Sequence, residues 1–160
     1  GPLMSHDEVV LEAGQLAPAF SAPNQDGQIV SSEDLFQQNT VLYFFPSAGT
    51  PGCTKEAADF QDHLPEFAAR GYQIVGVSPD SVARLKNFED NHELEFTLLS
   101  DPDTALHRLY GAHGEKTIFG RLYRGILRST ILVKDGRVTH ALYNVRATGH
   151  IPNLLRLIDQ

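Results

Sequence analysis

At 160 residues, with 41% hydrophobic and 21% charged, the chain has the length for one domain with a substantial core and a globular rather than disordered composition. A formal net charge of -7 argues against nucleic acid or an anionic membrane as partner, and no apolar run approaches the length of a transmembrane helix. The single cysteine rules out an intramolecular disulfide, a CxxC redox motif and a cysteine-based zinc site. It also fits a reducing, cytoplasmic compartment, as does the lack of a signal-peptide pattern at the start.

Gly1-Pro2-Leu3 before Met4 has the look of a remnant of tag cleavage, which leaves 4–160 as a single domain. Residues 4–13 are acidic and weakly patterned, as in a frayed terminus. Between Gly14 and Ser31, two prolines and an Asp26-Gly27 turn before Gln28-Ile29-Val30 predict short strands joined by turns. A brief helix or turn is expected over Ser32–Phe36. Val41-Leu42-Tyr43-Phe44-Phe45 is the most apolar run and predicts a strand buried on both faces. From Lys55 to Arg70 the apolar positions Ala57, Phe60, Leu64 and Phe67 recur at helical spacing, with a kink expected near Leu64 because of Pro65.

Tyr72–Ser78 predicts a second strand, and Asp80 or Ser81 caps a helix with Val82, Leu85 and Phe88 inward. Glu95–Leu99 predicts a third strand, and Asp101 and Asp103 favour a helix over Thr104–Tyr110, stopped by Gly111. His113–Gly125 has three glycines and little periodicity, so a loop is expected. Ile126–Lys134 and Arg137–Tyr143 are strands around an Asp135-Gly136 hairpin turn. Gly149–Ile158 closes the chain as a helix with Ile151, Leu154, Leu155 and Ile158 on its apolar stripe. The alternation implies an α/β fold with parallel pairs, to which the hairpin adds antiparallel strands, giving a mixed sheet between helices.

Cys53 belongs to the stretch Pro46–Thr54, between the apolar strand and the helix after it. In open α/β sheets sites are built at that end of the strands. Thr50 suits the N-cap and Pro51 the first helical position, so Cys53 falls third. Unpaired N–H groups and the positive end of the helix favour a thiolate there, and the thiolate is the nucleophile.

The spacing P-x-x-x-T-x-x-C at Pro46, Thr50 and Cys53 resembles the peroxiredoxins. Thr50-Pro51-Gly52-Cys53-Thr54 followed by Glu56 is similar to their Q-type, or bacterioferritin-comigratory, branch. So are Leu16–Phe20, Gly114-Glu115-Lys116, Gly120, Gly125, Ile126–Thr130 and Gly149-His150, in the right order along nearly the whole chain.

The resemblance implies a thioredoxin-like fold with an N-terminal strand or hairpin extension, and a thiol-dependent peroxidase without a cofactor. Cys53 would attack a hydroperoxide and become a sulfenic acid. Thr50 would bind the peroxide through its hydroxyl, and Pro46 would shield the thiolate from water. Arg128 would stand near Cys53, favour the thiolate and donate to the peroxide oxygens. Backbone donors around Gly52 would assist, and Glu56 would orient Arg128.

Many Q-type members carry a second cysteine five residues after the first, where this chain has Ala58. The reductant must then be external: thioredoxin, glutaredoxin or a low-molecular-weight thiol. A second departure is Ser47-Ala48-Gly49, where relatives often have charged residues. The expected assembly is a monomer or weak homodimer. Two other readings compete: a redox sensor that passes the oxidation of Cys53 to a partner protein, and a structural or chaperone-like protein with an inert cysteine. His63, His92, His107, His113, His140 and His150 lack ligand-like spacing, so no metal is expected and most should be surface residues. Residues 49–55 have the wrong spacing for a phosphate loop, and no G-x-S-x-G elbow is present.

Overall fold

The computed structural model describes residues 4–6, as backbone only, and 9–160. The expected tag remnant at 1–3 lies outside the described residues. Met4–His6 (β1) pairs with a later strand, so this part of the predicted frayed terminus is a strand. Ser21–Pro23 (β2) and Ile29–Ser31 (β3) form the predicted hairpin, its turn closed by the Asn24 side chain, which accepts from the Asp26 and Gln28 N–H groups. Ser32–Leu35 (α1) is capped by the Ser31 hydroxyl.

Asn39–Phe44 (β4) is the central strand. Its side chains alternate between two cores: Val41 and Tyr43 on one face, Leu42 and Phe44 on the other. Each such apolar side chain contributes roughly 1.5–3 kcal/mol on burial. Pro51–Asp62 (α2) and Leu64–Ala69 (α3) replace the single kinked helix that was expected. The break falls at His63, because Pro65 cannot donate to the carbonyl one turn back and instead occupies the first turn of a new helix. Tyr72–Ser78 (β5) follows as predicted; Val82–His92 (α4), capped by Ser81, turns Leu85 and Phe88 inward but not Val82, and Thr97–Ser100 (β6) starts two residues later than expected. Ala105–Leu109 (α5) ends before Gly111, whose φ of 80° suits a glycine.

His113–Ile118 (β7) and Arg121–Ile126 (β8) overturn the loop expected over 113–125. They form a hairpin about Phe119-Gly120, both at positive φ, and with β1 they make a separate three-stranded sheet. Periodicity gave no sign of it because Arg121–Arg124 are all exposed, so pairing rests on the backbone rather than on an apolar face. The strand expected over 126–134 is likewise divided: β8 stops at Ile126 and Ser129–Lys134 (β9) starts afresh. At the interruption the Leu127 N–H donates to Ala112 and the Arg128 carbonyl accepts from Val145, so both groups are taken by loops.

Asp135-Gly136 turns β9 into Arg137–Leu142 (β10), both residues at positive φ as the sequence signalled. Ile151–Ile158 (α6) packs Ile151 and Leu154 into the core. The main sheet runs β10-β9-β4-β5-β6, with β4, β5 and β6 parallel and β9 antiparallel to both its neighbours. The mixed sheet expected from the sequence is present. Among the described residues no helix is long and apolar enough to cross a membrane.

One histidine expected at the surface is fully buried. His107 gives its Nδ1–H to Asp101 Oδ2 at 2.6 Å, and the same carboxylate accepts from the Leu106 and His107 N–H groups that open α5. Burial pushes the imidazole below its usual 6.5, although Asp101 pulls it up. Burial also pushes the Asp101 carboxyl up, but the His107 ring and the two N–H groups outweigh it and the net shift is downward. Below pH 6.5 the unfolded chain therefore takes up the histidine proton first, and below 3.8 the carboxyl proton. Both effects lower stability on acidification. In urea titrations, stability should fall as pH drops below 6.5, and His107→Gln should remove the first part of that fall.

Candidate active site

β4 ends against a residue that cannot extend it. The Phe45 N–H still donates to Val77, but Pro46 has no N–H and lies exposed. The chain turns over Ser47–Gly49, with Gly49 at a φ of 87° and the Ala48 N–H held by Asp80 at 2.7 Å. Thr50 occupies the N-cap of α2 in extended backbone, as expected before Pro51. Its hydroxyl does not cap the helix. It donates to the Ser47 carbonyl at 2.8 Å, which leaves its lone pairs free of that bond. Cys53 stands third in the helix and is 1% exposed. The backbone ladder of α2 begins with Thr54 N–H on Thr50, so the N–H groups of Gly52 and Cys53 lie in the turn before intrahelical partners exist.

Arg128 reaches this turn from the interruption between β8 and β9. One guanidinium nitrogen donates to Glu56 Oε1 at 2.6 Å, and the other lies 3.3 Å from Cys53 Sγ. Glu56 is one turn beyond Cys53 and wholly buried, and the Arg128 side chain is only 15% exposed. Burial works against the charge of Arg128, but Glu56 and Cys53 outweigh it and move the guanidinium's pKa up. The second carboxylate oxygen of Glu56 lies 2.9 Å from His150 Nε2, just before α6. Gly52 lies against this assembly: a Cβ there would stand 3.4 Å from the Ala147 Cβ and 3.6 Å from Arg128 Nη2, ordinary contact distances.

The structure thus brings Cys53, Thr50, Glu56 and Gly52 to one helix start and adds Arg128 from afar, with Pro46 exposed at the mouth of the same loop. Arg128, between two strands, is largely withdrawn from solvent. Three further groups escaped the sequence reading. His150 is one, noted only as part of a resemblance. Tyr43 is another: its hydroxyl is buried with no hydrogen-bond partner among the described residues, and burial, then Glu56 and Cys53, push its pKa well up, so it stays a phenol. A tyrosine inside an otherwise apolar run was the available signal. The third is Lys116 on β7, pushed down by burial and then by the charge of Arg128. Among the described residues no group of three or more His, Cys, Asp or Glu is placed to hold a metal ion.

Residues 13–141 match the model of the AhpC/TSA family. The chain belongs to that family, the peroxiredoxins. A Mycobacterium tuberculosis protein bearing the name peroxiredoxin is 46% identical over 147 residues, which cover 91% of this chain and 94% of that one. Peroxiredoxin Bcp of Escherichia coli is 38% identical over 141 residues, covering 88% and 90%. Among solved structures, peroxiredoxin Q of Xanthomonas campestris superposes with a TM-score of 0.81 at 36% identity, over 88% of this chain and 89% of that one. The chain is therefore a thioredoxin-like peroxiredoxin of the Q and Bcp branch, of the one-cysteine type, and a thiol-dependent peroxidase. Ala58, half-buried on α2, stands where many members of the branch have a second cysteine.

In this peroxiredoxin a buried carboxylate is satisfied by two partners. Removing it strands the Arg128 charge in the protein interior, a loss of the kind that costs about 3–5 kcal/mol. Glu56→Ala should accordingly unfold at much lower urea than the parent chain, measured by circular dichroism.

Proposed function

We propose that Cys53 is the peroxidatic residue of a one-cysteine peroxidase, reducing hydrogen peroxide or an organic hydroperoxide and being restored by an external thiol. The observation that carries this reading is the Arg128 guanidinium divided between the buried Glu56 carboxylate and the sulfur of the chain's single cysteine. A fixed positive charge beside a sulfur at a helix start favours the thiolate.

In the proposed reaction the thiolate attacks one peroxide oxygen in line with the O–O bond. An S–O bond forms as the O–O bond breaks, and the displaced oxygen leaves with the electron pair. On taking a proton it becomes water or an alcohol, and Cys53 is left as a sulfenic acid. Negative charge grows on the departing oxygen, so donors fixed in advance lower the barrier. Arg128 supplies such a donor from Nη2, the nitrogen beside the sulfur, and the Gly52 and Cys53 N–H groups point from the first helical turn. Thr50 takes the complementary part. Its own proton is committed to Ser47, so its oxygen accepts from the hydroperoxide O–H. Pro46 covers the loop with a residue that brings no N–H to hold water.

Regeneration follows from the cysteine count. A thiol attacks the sulfenic sulfur and expels water, giving a mixed disulfide. A second thiol then takes the foreign sulfur and releases Cys53. Neither thiol can come from this chain. Thioredoxin, glutaredoxin and low-molecular-weight thiols are the candidate classes, and the chain acts in a reducing compartment as a monomer or weak homodimer.

The test is intact-mass measurement after one equivalent of peroxide, then after each reductant class in turn. The expected result is a gain of one oxygen, absent in Cys53→Ser and removed by one of the reductants. Arg128→Ala should lower stability, because it strands the buried Glu56 carboxylate, and in protein shown folded by circular dichroism it should slow Cys53 oxidation by at least about a hundredfold, the scale of a lost oxyanion-type donor. Peroxide turnover by Cys53→Ser at the parent rate overturns the assignment. A mixed disulfide with a partner protein and negligible turnover would favour the sensor reading instead.

A further inference from the structure

The geometry points to His150 as a positioning residue for the Cys53 thiolate: by donating to Glu56 Oε2 it turns the carboxylate so that Arg128 commits one nitrogen to Glu56 and keeps the other for the sulfur. This rests on the reading of Cys53 as a thiolate nucleophile.

Glu56 is completely buried, so both its oxygens need donors. Arg128 serves Oε1 at 2.6 Å and His150 serves Oε2 at 2.9 Å. Without His150 the cheapest remedy is for the carboxylate to rotate and take both nitrogens of the guanidinium fork, the preferred arrangement of an arginine–carboxylate pair. That rotation would withdraw from Cys53 the nitrogen now at 3.3 Å. His150 therefore acts through two intermediates on an atom it does not touch.

The ring is held for this task. It sets its edge against Phe60 at 5.5 Å between centroids and 79° between planes, and the next residue, Ile151, is anchored in the core. Gly149, at a φ of 79°, provides the turn that brings the ring in. Helix capping does not explain the residue: His150 occupies the N-cap position of α6, yet its side chain accepts from none of the helix N–H groups. Nδ1 is buried with no hydrogen-bond partner among the described residues. With a proton on Nε2 the ring donates to Glu56, and Nδ1 then presents a lone pair. The charged and titratable groups around this chain of contacts are Glu56 and Cys53 on α2, Arg128 before β9, Tyr43 on β4 and Lys116 on β7.

Two variants separate positioning from packing. His150→Phe keeps a ring against Phe60 and loses the donor. His150→Gln keeps an N–H donor of similar reach. Thiolate absorbance of the reduced full-length chain is followed across a pH titration, together with the single-turnover rate of Cys53 oxidation by hydrogen peroxide. His150→Phe should show a smaller thiolate fraction at each pH on the rising limb and oxidise about tenfold more slowly, the effect of one lost charge-assisted contact. His150→Gln should return to within about threefold of the parent rate. In a Glu56→Gln background His150→Phe should change neither readout, because the link is already cut. Should His150→Phe not fold, His150→Leu carries the same expectation. An unchanged titration in the donor-free variant overturns the proposal. So does equal slowing in His150→Phe and His150→Gln. A parent chain inert to peroxide would sink the peroxidase reading instead, and the titration would still decide the part played by His150.

Discussion

A carboxylate with no exposure to solvent holds the candidate site together. Left alone, the Glu56 charge would be worth several kcal/mol of destabilisation, and it persists only because partners are brought to it. Those partners come from 72 and 94 residues away along the chain. The requirement therefore ties the first turns of α2, the interruption before β9 and the residue that precedes α6 into one cluster. Arg128 is the member with two functions, because a guanidinium can face two acceptors at once. One is the carboxylate that holds it and the other is the sulfur.

The sheet makes this convergence possible. β4 is filled on both faces and has no freedom to shift, so the point where it gives way to Pro46 and the helix start is fixed. β9 lies antiparallel beside it, and its first residue, Ser129, pairs with Phe44. The residue just before β9 is thus delivered to the end of β4 where Cys53 begins its helix. Had the strand continued unbroken from Ile126, the Arg128 backbone would have been drawn into the ladder. Its carbonyl bonds to Val145 instead, and its side chain is aimed by a loop rather than by the pleat.

Much of this was legible from residues alone. The apolar run at 41–45, the Thr50-Pro51 helix start and the Asp135-Gly136 turn each obey a local rule strong enough to survive folding. Pro65 was legible in kind but not degree, since a proline can bend a helix or end it, and the neighbouring packing decides. The hairpin at 113–126 was not legible, because most of its second strand faces solvent and its turn, Phe119-Gly120, lacks the usual asparagine or aspartate. His107 was misplaced for a related reason. Nothing local distinguishes a surface histidine from one whose aspartate partner folds back six residues to meet it. Within the site, Cys53 and Thr50 were readable from helix chemistry and Arg128 from resemblance. His150 could not be given a task from sequence, because its contact with Glu56 depends on where two distant helices meet.

The separation between Cys53 and the groups around it also bears on the life of the chain before it is finished. Thr50 accompanies the cysteine from the moment of synthesis. Arg128 arrives only 75 residues after Cys53, and His150 only 94 residues after Glu56. Closing such long loops is slow relative to helix formation. A nascent or unfolded chain therefore carries the cysteine without its guanidinium neighbour, as an ordinary thiol among other thiols. The guanidinium and carboxylate beside the sulfur are a property of the completed tertiary structure, so on the proposed reading of Cys53 the fold acts as a safety catch that withholds oxidant sensitivity until the molecule is whole.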